Sequence, residues 1–202
     1  MFVITLKRRL TMKIKWVCLL MLIGMAGMLQ LADAADTYEV DAAHSMIIFR
    51  AKHMGVSNNY GRFNQFSGML TVDEADAANS AIELEVKAES VDTGNEKRDQ
   101  HLRSPDFFNA KQFPVITFKS TKVEKVDEDT LKVTGDFELH GVKKSVTVEV
   151  EMTGKGKNQQ GTALIGFETI FTIKRSEFGM NYGIGAVSDE VRITVSVEGM
   201  KK

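Results

Sequence analysis

The chain has 202 residues, a length that fits one domain or at most two. Its 26 basic and 27 acidic residues nearly balance, which argues against a nucleic-acid partner, because such a partner requires a strongly basic surface. The single cysteine, Cys18, lies close to the N-terminus, so residues 35–202 have no disulfide, thiolate nucleophile or thiolate metal site.

Residues 1–34 have the pattern of a secretory signal peptide. Lys13 and Lys15 precede an apolar run at residues 16–31, and the run ends at Ala32-Asp33-Ala34, where small residues flank one position as signal peptidase requires. The run is short for a membrane span, and no second apolar segment follows it. The pattern therefore predicts export.

We expect cleavage near Ala34, with translation starting at either Met1 or Met12. Export without disulfides fits the bacterial periplasm better than a disulfide-rich extracellular scaffold. Removing the signal takes away five basic residues and one acidic residue. Residues 35–202 then carry a net charge of about −5, which favours solubility.

The dominant pattern after the signal is alternation of apolar and polar residues with period two. Each alternating segment places one set of side chains on a dry face and the other set in water, as in an antiparallel sheet with one wet face. Short links with turn residues favour a meander. We predict eight strands, which lie at about residues 44–52, 60–73, 82–89, 115–126, 131–140, 145–152, 162–174 and 191–198.

Two segments interrupt this alternation. Residues 95–103 predict a short polar helix, which Thr93 or Asn95 begins and Pro105 ends. Phenylalanines follow at 107, 108 and 113, and we expect them to lie across one end of a barrel, because such side chains require burial. The second interruption, residues 178–187, contains three glycines and predicts a flexible loop.

Eight antiparallel strands with one apolar face bury that face by pairing two sheets or by closing, and closure also removes the sheet edges. An eight-stranded barrel is either just filled by side chains or just able to hold a small ligand. The inward set here is mostly Val, Ile and Leu, and Gly68 and Gly135 leave space or permit bending. These features favour an elongated apolar cavity, with a packed interior as the alternative.

A series of motifs runs along residues 35–202. The motifs are Tyr38-x-x-Asp41-x-x-His44-Ser45, Gly61-x-Phe63, Phe66-x-Gly68, residues 92–102, Phe107-Phe108, Phe113-Pro114-x-Ile116-x-Phe118, Gly135-Asp136-Phe137 and Lys174-Arg175-Ser176-x-Phe178-Gly179-Met180. Their order resembles the YceI family of periplasmic, polyisoprenoid-binding, lipocalin-like proteins. The resemblance implies an all-β, eight-stranded antiparallel lipocalin-like barrel with a short helix, in which a long isoprenoid such as a polyprenyl phosphate or a quinone-type lipid is held.

We predict that the ligand tail contacts aromatic and aliphatic side chains, and that a cation near the end of the barrel meets its polar head. The alternative for Arg98 is an ion pair with Asp92 or Asp99 that fixes the helix to the barrel. The predicted tail contacts are Phe49, Phe66, Phe107, Phe108, Phe113, Phe118, Phe137, Phe171 and Ile173, and the predicted head-group contacts are Arg98, His101 and Arg175.

Metal binding and catalysis have little support. The histidines at 44, 53, 101 and 140 match no compact ligand spacing, so we expect His44 to order the first strand and His140 to continue the wet face of its strand. Ser45 beside His44 is not a catalytic pair, because adjacent strand residues point to opposite faces. We expect no catalytic residue, no metal and no cofactor other than the lipid.

The sequence thus predicts a periplasmic carrier for an isoprenoid lipid or quinone, and not an enzyme. The alternative is a periplasmic stress or accessory protein that binds a partner and holds no lipid. As partners we expect the lipid and no nucleic acid, with transient membrane contact and a homodimer left open.

Overall fold

The computed structural model describes residues 35–202, and the predicted signal, residues 1–34, lies outside the described residues. Within residues 35–202 strands dominate, with one α-helix and three short 3-10 turns, at Ala77–Asn79, Ala88–Ser90 and Arg175–Phe178. The strands are β1 (Asp36–Val40), β2 (Met46–His53), β3 (Ser57–Phe63), β4 (Phe66–Val72), β5 (Ala81–Lys87), β6 (Val91–Asp92), β7 (Val115–Lys125), β8 (Thr130–Leu139), β9 (Val142–Lys157), β10 (Ala163–Lys174) and β11 (Val187–Lys201), and the helix is α1 (Glu96–Arg103).

The eleven strand segments build eight barrel strands, because three barrel strands are each interrupted once. The interruptions separate β1 from β2 at residues 41–45, β3 from β4 at residues 64–65, and β5 from β6 at the 3-10 turn 88–90. Each of the eight pairs antiparallel with the next along the chain. The predicted eight-stranded antiparallel meander is therefore confirmed.

The last strand closes the barrel on the first. Along β11, Thr194 lies in register with Ile48 of β2, and further on Lys201 lies in register with Tyr38 of β1. Because β10 pairs with the other side of β11, the final strand has a hydrogen-bonded neighbour on each side. Closure leaves it no free edge for another chain.

The two ends of the barrel differ. At one end, Tyr38, Leu70, Val133, Ile165 and Phe167 belong to one buried cluster, which fills the interior. At the other end, two segments, residues 93–114 and 175–186, follow strands and cover the opening. We call this second end the mouth, because Leu102, Phe108 and Met180 of the two covering segments line the cavity in the interior.

Helix α1 forms part of the mouth. Its first residue follows Asn95, whose side chain accepts a hydrogen bond of 3.0 Å from the backbone N–H of Arg98 and so caps the helix. The helix ends before Ser104, and Pro105 cannot continue it. The predicted helix is confirmed within one residue at its start. None of the helices within residues 35–202 is long and apolar enough to cross a membrane.

Two strand glycines give room to neighbouring side chains. A Cβ atom at Gly135 would lie 2.5 Å from the ring of Phe118, and one at Gly68 would lie 2.5 Å from a methyl group of Leu84. These distances are too short for any other residue without movement of the neighbours. The space that each glycine leaves is therefore occupied by a side chain of the adjacent strand.

The seam between β9 and β10 is incomplete. Their register runs from the pair Lys157 and Ala163 to the pair Glu151 and Glu168, and it does not continue toward the mouth. Beyond it, the Thr169 hydroxyl donates to the backbone carbonyl of Glu149 at 2.6 Å. Side chains replace the backbone ladder along this part of the seam.

His140 corrects a sequence expectation. It was expected to continue the wet face of β8, but its positive φ of 54° places it in a left-handed turn with Gly141. There its ring lies against Phe113, with 4.7 Å between ring centroids, and its Nδ1 lies 3.0 Å from the carbonyl oxygen of Phe178. The turn redirects the side chain from the strand face toward the 175–178 turn.

The interruption between β1 and β2 contains a hydrogen-bonded pair, Asp41 and His44. Nδ1 of His44 lies 2.7 Å from Oδ2 of Asp41, and this hydrogen bond raises the pKa of His44 above its ordinary value of 6.5. The same bond lowers the pKa of Asp41. The predicted ordering role of His44 is consistent with this contact.

We expect the His44 imidazole to titrate above pH 6.5 in an NMR pH titration, and the Asp41→Asn variant to lower that midpoint. Since the folded pKa is raised, the contact's contribution to stability is fully present below the unfolded pKa of histidine. It is lost as the pH rises through the folded pKa. A midpoint that does not change in Asp41→Asn would contradict the assignment.

Candidate ligand-binding site

The interior of the barrel holds an open cavity of about 180 Å³. A cavity needs only about 10–15 Å³ by this kind of measure to hold one water molecule, and well-packed interiors contain few larger voids. Side chains therefore do not fill the barrel. Its lining is almost wholly apolar and includes Ile47, Leu70, Leu84, Val86, Ile116, Leu139, Val148, Val150, Val191, Ile193, Val195 and Val197.

Most of the side chains that were predicted to contact a ligand tail line this cavity. They come from β2, β7, β8 and β10 and from the segment after α1, and the alternation of each strand turns them inward. The seven that line it are Phe49, Phe107, Phe108, Phe118, Phe137, Phe171 and Ile173.

Phe66 and Phe113 are not among the lining residues. Phe66 packs against both clusters of buried side chains in the wall. Phe113 lies outside the mouth against the ring of His140, and it occupies the space beside Gly141 that a Cβ atom there would need. Both rings are held by protein contacts and not presented to the cavity.

Several lining residues are not among the predicted tail contacts, and Phe63, Phe167, Met180 and Val187 are examples. Phe63 and Phe167 share the inward parity of their strands, so strict period-two counting would have found them. Met180 lies in the irregular 175–186 segment, where no periodicity exists to identify an inward residue.

A group of three rings closes part of the mouth from within. Phe63 and Phe108 have centroids 5.4 Å apart, and Phe49 lies 5.7 Å from Phe63 and 6.1 Å from Phe108. The edge-on geometries are those that aromatic pairs prefer. Because Phe108 belongs to the covering segment, these contacts hold that segment over the cavity.

A second group of rings joins the two covering segments. His101 of α1, Phe107 and Tyr182 lie with centroid separations of 5.0, 5.1 and 5.5 Å. Nε2 of His101 also lies 2.9 Å from Oδ2 of Asp106. His101 is partly exposed and not among the cavity-lining residues, so this contact lies away from the cavity.

Arg98 bonds to the covering segment itself. Its Nε donates to the Thr93 hydroxyl at 2.7 Å, and a terminal nitrogen donates to the Thr93 carbonyl at 2.8 Å. Asp99, one of the two expected ion-pair partners, is buried and accepts from the Thr93 N–H at 2.9 Å. Arg98 does not line the cavity, and its observed partner is Thr93, not Asp92 or Asp99.

Arg175 is the predicted head-group residue that lines the cavity. It is only 3% exposed, at the start of the second covering segment. Its guanidinium donates to four backbone carbonyls, those of Met180 (2.7 Å), Tyr182 (2.8 Å), Val187 (3.0 Å) and Ser188 (3.0 Å). An arginine has five N–H groups, so one has no partner among residues 35–202.

The surroundings of Arg175 compensate its charge only in part. Burial lowers the pKa of the guanidinium, and the nearby Asp189 carboxylate opposes this shift. The pKa of Asp189 is itself lowered, because the backbone N–H and the hydroxyl of Ser176 both donate to it at 2.8 Å. Arginine remains protonated in proteins, so the mouth carries a fixed positive charge beside an apolar cavity.

One group of side chains in the described chain could approach a metal ion. Ligating atoms of Asp41, His44 and Glu198 lie within 4.8 Å of one another. They lie at the β1–β2 interruption, where the His44 side chain is 68% exposed, and none of them lines the cavity. This group has no geometric link to the ligand site.

Comparison with known proteins agrees with this architecture. The model of the YceI-like domain matches residues 38–199. The chain belongs to the YceI family. Relatives include a UPF0312 protein of Pseudomonas aeruginosa and Protein YceI of Escherichia coli, each 41% identical over 173 residues, which cover 85% of this chain and 90% of the relative.

Several solved structures are similar to this one. BcnA of Burkholderia cenocepacia superposes with a TM-score of 0.73 at 28% identity, covering 79% of this chain and 98% of BcnA. The YceI protein of Campylobacter jejuni gives 0.67 at 36% identity, covering 75% and 90%. A polyisoprenoid binding domain from Saccharophagus degradans gives 0.65 at 20% identity, covering 82% and 98%, and therefore shows a shared fold.

We expect Arg175→Met to lower the free energy of unfolding by at least about 3 kcal/mol in chemical denaturation, because four carbonyls lose a charged donor. Arg175→Lys should recover only part of this loss, since an ammonium has three donors and no planar fork. The control is Arg98→Met, which removes an exposed arginine and should cost about 1 kcal/mol. Equal losses for the two methionine variants would contradict the structural role of Arg175.

Proposed function

We propose that residues 35–202 form a periplasmic carrier that holds the hydrocarbon tail of an isoprenoid lipid, and that this protein is not an enzyme. The observation that carries the proposal is the open apolar cavity with one buried cation, Arg175, at its mouth. Cavities that are mostly apolar with a few convergent polar groups are typical of small-molecule sites.

The cavity suits a long, flexible hydrocarbon. Along β11 its lining runs from Val187 to Val197, which spans roughly 33 Å of strand and roughly 25 Å of barrel axis at an ordinary strand tilt. A longer tail has to fold back or protrude from the mouth, because Leu70 and Ile165 fill the opposite end.

Energetics favour a carrier over a permanent store. Burial is worth about 0.8 kcal/mol per methylene relative to water. An isoprenoid tail in a bilayer is already dry, however, so the net gain on moving into the barrel is small. Reversible exchange and transient membrane contact follow from this balance.

The head of the ligand would lie near Arg175. Four of its N–H groups are held by backbone carbonyls, and the fifth is available to an oxygen of the ligand. Both a phosphate oxygen and a quinone carbonyl accept such a bond, so a polyprenyl phosphate and a quinone-type lipid both fit.

The cavity lining favours binding over catalysis, because Thr117, Glu168, Thr169 and Arg175 are its only polar residues within the described chain. Among residues 35–202, no histidine and no cysteine lines the cavity, so neither an imidazole nor a thiolate is available for proton transfer or nucleophilic attack. A binding role also agrees with membership of the YceI family and with the similarity in fold to the polyisoprenoid binding domain of Saccharophagus degradans.

Location in the periplasm rests on the signal pattern of residues 1–34, with cleavage near Ala34. The alternative, an accessory or stress protein without lipid, predicts an interior that side chains fill. The open cavity favours the carrier. The homodimer stays a prediction.

Lipid extraction after purification from the native host, followed by mass spectrometry, tests the carrier. Ala51 lines the cavity from β2, so we expect Ala51→Phe to fill free space and lower the amount of co-purified isoprenoid at least about tenfold with little loss of stability. The matched control is Lys132→Phe, which places the same ring on the exposed face of β8.

The control should retain the lipid of the unmodified protein. Repeated absence of any isoprenoid from the unmodified protein would overturn the proposal and favour the accessory protein. Equal lipid content in Ala51→Phe and Lys132→Phe would also overturn it, because the lipid would then lie elsewhere.

A further inference from the structure

The outer face of β2, β3 and β11 carries two arginines directly opposite each other. Arg50 of β2 lies in register with Arg192 of β11 on one side and with Tyr60 of β3 on the other. Like charges at directly opposed positions of adjacent strands are destabilising. The fold therefore keeps a pair that costs it stability.

Neither arginine is neutralised by the protein. Within residues 35–202, the side chains of Arg50 and Arg192 make no hydrogen bond and no ion pair, whereas the neighbouring Arg62 pairs with Asp92 at 3.3 Å. The two arginines and Tyr60 line a shallow recess on the barrel wall, together with Ile48 and Thr194. The recess is open to an anionic group from outside.

The hairpin tip between β2 and β3 carries a second unusual feature. Met54 and Val56 are 62% and 86% exposed, and Met54 has a φ of 50°. A left-handed backbone is unfavourable for such a residue. The Met54 N–H donates to the carbonyl of Ala186 at 2.7 Å, which joins the tip to the segment carrying the exposed Tyr182 and Ile184.

These apolar side chains lie at the mouth of the cavity, and the arginines lie behind them. Arg50 precedes Met54 by four residues, which is roughly 13 Å along the strand and about 10 Å along a tilted barrel axis. An interfacial apolar element inserts about 5–10 Å into the boundary of headgroups and acyl chains. With the tip inserted to that depth, the arginines would lie near the phosphate level of the bilayer.

We propose that this surface docks the barrel on a bilayer of anionic phospholipids. In the docked state the hairpin tip inserts, and Arg50 and Arg192 bind lipid phosphates beside Tyr60. A tyrosine is well suited to the headgroup level because its ring is apolar and its hydroxyl polar. This inference rests on the proposed function in one respect: docking would bring the cavity mouth to the membrane that holds the ligand.

Charge complementarity favours an anionic membrane over other occupants. Residues 35–202 carry a net charge of about −5, so an anionic surface repels most of the barrel. A local pair of uncompensated arginines then determines which face approaches. Guanidinium groups also match phosphate geometry better than ammonium groups do.

Co-flotation of residues 35–202 with phosphatidylglycerol vesicles, and with phosphatidylcholine vesicles for comparison, tests the docking surface; these residues belong to a compact unit of their own. We expect binding to phosphatidylglycerol that falls with added salt. Each basic residue near such a surface contributes about fivefold in affinity, so Arg50→Gln with Arg192→Gln should weaken binding roughly 25-fold. Met54→Ser with Val56→Ser should weaken it independently.

The matched control is Lys125→Gln with Lys157→Gln, which removes the same charge at the far ends of β7 and β9. It should bind vesicles almost as the unmodified protein does. The double-arginine variant should also unfold at the same or a higher temperature, because it relieves the repulsion. That result separates lost docking from lost folding.

Equal weakening in the two double variants would overturn the docking surface, since net charge alone would then act. Three other results would also overturn it: no binding to phosphatidylglycerol vesicles, binding of inorganic phosphate alone, or self-association through this face. Isoprenoid content of the double-arginine variant is measured in parallel. If the double-arginine variant retains isoprenoid but loses vesicle binding, docking is supported. If the unmodified protein retains isoprenoid but does not bind vesicles, docking is wrong and the carrier proposal is unaffected.

Discussion

The closing register between the last strand and the first is the constraint on which the rest of the structure depends. An alternating strand has one dry face, and an open sheet of eight such strands would expose that face or require a second sheet to cover it. Pairing β11 with both β2 and β1 turns the dry face inward on all sides. Because an eight-stranded barrel is only marginally wider than its side chains can fill, mid-sized residues such as Val195 leave the cavity open.

Two buried charges hold the covering segments at the mouth. Asp99 accepts from the backbone N–H and the hydroxyl of Thr93, and Arg175 donates to four carbonyls of its own loop and strand. A buried polar group that is hydrogen-bonded to one arrangement of the backbone favours that arrangement, because the alternatives leave more of its hydrogen-bonding groups unpaired. Irregular backbone can therefore cover an apolar cavity without a hydrophobic core of its own.

The sequence predicted correctly those elements that depend only on residues close together in the chain. Period-two alternation identified the strands, and Asn95 with Pro105 bounded the helix, because caps and proline act within a few residues. Prediction from the sequence was weaker where two segments meet. His140 follows Leu139 in the alternation, yet a left-handed turn redirects it. The partner of Arg98 depends on the path of residues 93–95, and the exclusion of Phe113 from the cavity depends on packing against the next turn.

The seam between β9 and β10 gives the barrel an unequal stiffness. Toward the mouth, the backbone register of β9 with β10 ends at Glu151 and Glu168, and beyond it the Thr169 hydroxyl donates to the Glu149 carbonyl. Side-chain links can lengthen or exchange partners at small cost, whereas a ladder separates cooperatively. The width of the barrel can therefore adjust along this seam. The cavity can then admit ligands of differing thickness, such as methyl-branched chains, while the strands on the opposite wall keep their register.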